Sequence, residues 1–202
     1  MTARRTIAGG SRLSLALALA AMLAACATVP EARLNERLDE ATGVTVTTLD
    51  RPLEFFAPQP EYGIDAASFV NLGLAEADRM GTRTYYLWVS VLWGRVEPKG
   101  VASPELESIT IESESAALTF DMTRRVASPS RTALYAPPAN WSIERVFLLT
   151  VSEVRAIAHA QTLALTIETA GGDRHHFTLW KPPTPSLPLF ADQLLDGAGQ
   201  PN

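Results

Sequence analysis

Cysteine is almost missing from this chain. One thiol, Cys26, stands among 202 residues, so no intrachain disulfide can form and a cysteine-based metal set is out of reach. The fold must therefore be held by packing. Histidine is nearly as scarce, with three copies, His159, His175 and His176. Positive charge is thin as well: 17 Lys and Arg face 22 Asp and Glu, and no basic run exceeds Arg124-Arg125. A surface of this sign is repelled by phosphate backbones, which removes nucleic acid from the expected partners. The sequence also has no G-x-S-x-G elbow, no H-E-x-x-H, no glycine-rich phosphate loop and no EF-hand pattern, so no common catalytic or cofactor signature is present. No cofactor and no bound metal are expected.

Long apolar runs are missing too. The stretch Leu13 to Ala25, broken only by the polar Ser14, has thirteen residues, short of the ~20 that a membrane-spanning helix needs. Arg4, Arg5 and Arg12 precede it, and a basic start followed by a short apolar run reads as a secretory signal peptide. Arg4-Arg5 lies in a poor context for the twin-arginine route, with Ala3, Thr6 and Ala8 around it. The run ends in Leu23-Ala24-Ala25-Cys26, which resembles the lipobox of bacterial lipoproteins. That resemblance implies cleavage of residues 1–25 and acylation of Cys26, with the chain tethered to a membrane and not spanning it. Two or more acyl chains hold stably where one is marginal. Ala27 stands where an inner-membrane-retained lipoprotein of the enterobacterial type tends to carry Asp, so the resemblance further implies the outer membrane, facing the periplasm. Without the leader, which holds three arginines and no acid, 14 basic side chains face 22 acidic ones over 177 residues, a formal charge of −8. That length suits one domain with a real core.

After the anchor, Leu34, Leu38 and Ala41 fall at i, i+4 and i+7 among charged residues, which predicts a short amphipathic helix closed by Gly43. Residues 26–43 are thus expected to form the lipid anchor and a helical spacer. From Val44 the period changes to two. "FVNLGLAEA" and "RTYYLWVSVLW" flank "DRMGT", a hairpin signal with Gly81 at a positive-φ position. The second arm is apolar on both faces and is expected to be central. "ITIESESAALTF" and "LTIETAGGDRHHFTL" predict two more hairpins, and "RVFLLT" another strand. Thr150 and Glu153 have capping-box spacing ahead of a stripe of Val151, Val154, Ile157 and Ala158, which predicts a helix of two to three turns. The expected architecture is mainly β, an antiparallel β-sandwich or open barrel with two short helices, over residues 44–184. Residues 185–202 are expected to be a tail with a single helical turn.

The chemistry-bearing residues do not converge on paper. His175 and His176 are neighbours on a strand, so they point to opposite faces and cannot share a metal. Glu112 and Glu114 share a face at i, i+2, in the manner of a glycosidase pair, but at a serine-rich turn that reads as a solvated hairpin tip. The aromatics carry more: Tyr86 and Trp88 make a candidate binding surface if their strand face is open, and core if it is covered. Trp141 and Trp180 adjoin loops.

"ATGVTVTTLDRPLEFF", "DRMGTRTYYLW" and "HHFTLW" resemble lipoproteins of Gram-negative bacteria that bring no activity with them. The expected function is a membrane-anchored periplasmic lipoprotein acting as a non-enzymatic binding or accessory module for an envelope protein. The alternatives are a periplasmic hydrolase with a site at His175 or His176, and a lipid or small-molecule carrier, which requires an apolar cavity of ~300 Å³ or more.

Overall fold

Alternating apolar and polar residues dominate the chain beyond Val44, and they build one curled antiparallel sheet. The computed structural model describes residues 32–59, 67–94 and 104–196, all within the compact unit that begins at Ala32. Ten strands form the sheet: β1 Leu34–Asp39, β2 Val44–Leu49, β3 Leu53–Pro58, β4 Ala67–Arg79, β5 Thr82–Leu92, β6 Leu106–Glu112, β7 Ala117–Asp121, β8 Ile143–Leu149, β9 Ala164–Thr169 and β10 Arg174–Leu179. Among the described residues two helices accompany them, α1 Val151–Ala158 and α2 Ser186–Asp196. Among the described residues no helix is long and apolar enough to cross a membrane.

The long β4–β5 hairpin is the spine, paired from Phe69↔Leu92 to Arg79↔Thr82. Its two-residue turn has Met80 at φ 55° and Gly81 at φ 86°, the positive pair that a type I′ turn requires. Asp78 Oδ1 accepts from the Gly81 N–H at 2.7 Å and fixes it. β8 covers the other edge of β5. The free edge of β4 is shared by β2 and β3, both antiparallel to it. Thr48 faces Ala75 and Leu53 faces Leu72, so four residues, Leu49 to Pro52, oppose only Gly73 and Leu74. The chain bulges there, and the sheet forks. β1 extends the β2 branch, and β10, β9, β6 and β7 extend the β3 branch.

That second branch curls until the ends of the sheet approach each other. Phe120 of β7 and Phe147 of β8 have ring centroids 5.1 Å apart, and Arg145 Nε donates to the Met122 carbonyl at 2.7 Å. No ladder joins β7 to β8 among the described strands, so the result is a half-barrel with a side-chain seam. Register puts Val70, Leu72, Leu87, Val89, Ile109, Ile167 and Phe177 on its concave face, all fully buried. Each such side chain removed from water stabilises the fold by about 1.5–3 kcal/mol.

Both helices are set by their termini. At α1 the Thr150 hydroxyl accepts from the Glu153 N–H at 3.3 Å while Glu153 Oε2 accepts from the Thr150 N–H at 2.7 Å, the predicted capping box. Val154, Ile157 and Ala158 are its buried stripe. Pro188 sits in the first turn of α2, where its missing N–H costs nothing. Asp50, in the bulge, accepts from the hydroxyls of Thr184 (2.7 Å) and Ser186 and ties the start of α2 to the sheet.

Two expectations are corrected here. Leu34–Asp39 is a strand and not a helical spacer, paired with β2 from Leu34↔Leu49 to Asp39↔Val44. Gly43, at φ 66°, turns that hairpin instead of capping a helix, and the globular unit starts at Ala32 and not at Val44. Residues 186–196 form more than a single helical turn: α2 has eleven residues, with Leu187, Phe190 and Ala191 buried in the core.

Candidate functional site

Cys26 lies outside the described residues. Trp88 does not lie on a surface. Its side chain is 2% exposed, its ring stacks at 5.1 Å on Tyr135, and its Nε1 donates to Glu144 Oε2 at 3.1 Å. The convex face of β4–β5 is covered by the segment after β7, so the candidate surface at Trp88 is core. Tyr86, on that same face, is half-buried and sits across from Leu148, which is 54% exposed.

Tyr135 explains the covering. Its hydroxyl donates to the Leu74 carbonyl at 2.6 Å and accepts from the Leu49 N–H at 3.0 Å. These are the groups that the bulge separates, so a side chain replaces the interrupted ladder and both backbone groups are satisfied. Burial pushes the Tyr135 phenol far up, which keeps the hydroxyl a donor. Gly73, opposite Trp88, makes room: a Cβ there would stand 2.1 Å from the Tyr135 ring. A glycine inside a strand signals such a close approach, and "NLGLA" carried that signal.

The histidines do not assemble a catalytic group. His175 is on the concave face, edge-on to Trp93 with ring centroids 4.7 Å apart, and His176 is on the convex face, its Nδ1 3.0 Å from Thr166 Oγ1. His159 meets Asp192 at 3.8 Å on the surface. Among the described residues no three of His, Cys, Asp and Glu gather as a metal set. Glu114 is a structural acceptor: its carboxylate takes the Thr162 hydroxyl at 2.6 Å, the Thr162 N–H and the Gln161 N–H at 3.3 Å, and the Thr162 hydroxyl foremost holds it below the ordinary carboxylate range. Glu76 is buried on the concave face with Oε2 unpartnered among the described residues. Burial raises its pKa, against the pull of Arg83 at 3.8 Å.

Two surface features remain. Trp180, directly after β10, is 51% exposed and leans edge-on against Phe56 (4.6 Å) and Phe69 (6.3 Å), both half-buried on the convex face. The Trp180 N–H donates to the Glu54 carbonyl at 2.7 Å, which locks the indole's backbone to β3, and Lys181 pairs with Glu54 at 2.7 Å beside it. This is an apolar aromatic centre with a charged rim, on rigid strands. The other feature is an open cleft of about 360 Å³ at the sheet fork, walled by Arg37, Arg51, Asp50 and Asn35 and floored by Leu134 and Tyr135. The polar walls do not suit an apolar cargo. No family model, no curated protein and no solved structure matches this chain.

Proposed function

We propose that the protein is a lipoprotein tethered by acylated Cys26 to the outer membrane, facing the periplasm, whose β domain is a binding module for an envelope protein. The aromatic centre at Trp180, Phe56 and Phe69 supports this reading. Interface cores are enriched in aromatics and ringed by polar groups, and Trp is the residue type most often dominant in their energetics. The indole stands one residue past β10 with its backbone held to β3 and its ring against Phe56 and Phe69, so little side-chain order has to be gained on binding.

The test is a photo-crosslinking amino acid at position 180 in cells, with the same substitution at Met80, the exposed hairpin tip, as control. One discrete adduct with an envelope protein from position 180 and none from position 80 is expected. Equal, diffuse crosslinking from both positions, or none from either, contradicts the reading.

A further inference from the structure

We infer that the cleft at the sheet fork binds the carboxylate of a small peptide-like molecule, about the size of a dipeptide. The site is independent of the aromatic surface and of the anchor. Its volume of about 360 Å³ falls within the ~300–1,000 Å³ of ordinary ligand sites. Two guanidinium groups line it in a chain of net charge −5, so the local sign opposes the overall one.

Arg37 is held in place before any ligand arrives. Its Nη2 donates both hydrogens, to the carbonyls of Thr132 (3.2 Å) and Ala133 (2.6 Å), and its Nε is buried without a partner among the described residues, which leaves Nη1 to donate to a ligand. Arg51 stands exposed on the bulge. The one acid in the wall is Asp50, whose Oδ1 accepts from Thr184 and Ser186; although burial opposes its charge, these hydroxyls hold its pKa below the ordinary value, so it stays ionised and the two guanidinium groups outweigh one carboxylate. The planar fork of Arg51 matches a carboxylate bidentately, with Arg37 Nη1 as a further single donor.

The rest of the wall fits the body of such a ligand. Asn35 Nδ2 is spent on the Leu49 and Asp50 carbonyls (3.4 and 3.3 Å). Its amide oxygen is left to accept an N–H, as a peptide would offer. Leu134 and the Tyr135 ring supply an apolar floor for a short side chain.

The probe is N-acetyl-alanyl-alanine, followed by saturation-transfer NMR and calorimetry on the detergent-solubilised full chain. The same peptide with an amidated C-terminus and inorganic phosphate are the comparisons. Expected are saturable binding of the acid, no binding of the amide, and weakening by at least about tenfold in Arg51→Gln. The Arg51 backbone N–H and its charge both act on Asp50, and Arg51→Gln keeps the first and removes only the second; an unchanged melting temperature checks that the variant keeps its structure. The acid and the amide binding alike, phosphate displacing the peptide at equal affinity, an unaffected Arg51→Gln, or no saturable binding each overturns the inference. Failure here leaves the crosslinking result at Trp180 untouched.

Discussion

Tyr135 does the work of several backbone hydrogen bonds with one hydroxyl, buried under the loop that covers β4 and β5. Tyr135→Phe keeps the ring on Trp88 and Gly73 but strands the Leu49 N–H and the Leu74 carbonyl. A loss of about 1–3 kcal/mol is expected in urea denaturation. Gly73→Ala, whose Cβ would stand 2.1 Å from that ring, is expected to cost about 1–3 kcal/mol by overpacking. The cost should largely vanish in a Tyr135→Ala background, and additive losses would show that the two do not meet. Asp39 makes the acid-side prediction. The Ser130 hydroxyl foremost, at 2.7 Å, and then the Arg131 N–H pull its pKa from 3.8 to about 2. A group with a depressed folded pKa contributes stability above its unfolded value and loses it as the pH falls through the folded one. The advantage of the wild type over Asp39→Asn in thermal melts should therefore be full at about pH 5, shrink as the pH falls, and be gone by about pH 1. A gap that persists at the lower pH would assign the role to shape and not to charge.

At the scale of elements, the capping box makes the simplest test: Thr150→Ala should cost about 1 kcal/mol, read from the urea midpoint with an unchanged slope. Phe190→Ala, in the fully buried face of α2, should cost about 3–5 kcal/mol, whereas a loosely attached tail would lose almost nothing. Local signals were the legible ones. The β4–β5, β6–β7 and β9–β10 hairpins follow period-two alternation interrupted by turn residues, and the α1 cap follows from Thr150 and Glu153. β1 was misread because Leu34 and Leu38, four apart, share a face in a helix and in a strand alike. Pairing with β2 through the Gly43 turn decides between them, and pairing is not a local property. α2 runs past the single turn expected of it: Pro188 falls in its first turn, which tolerates proline, and its apolar face finds the core only in three dimensions. The burial of Trp88 was undecidable from its own strand: it depends on Tyr135, which arrives from a proline-containing loop of no periodicity. Trp180 was visible only as a tryptophan beside a loop, since its neighbours Phe56 and Phe69 come from other strands.

On the scale of the whole described domain, one curled sheet, its spine covered at Trp88 and left partly open at Phe69, presents a convex aromatic centre and a cleft lined by two arginines at the fork. The proposed function joins that arrangement to a lipid anchor at Cys26, which the resemblance of Leu23–Cys26 to a lipobox implies. The measurement that tests this most directly is metabolic labelling with a radioactive fatty acid, followed by membrane fractionation, for the wild type and Cys26→Ser. The account predicts a labelled, membrane-bound wild type whose mature chain begins at Cys26, and an unlabelled variant in the soluble periplasmic fraction. Label retained by Cys26→Ser, or a wild type that is unlabelled and soluble, would contradict it.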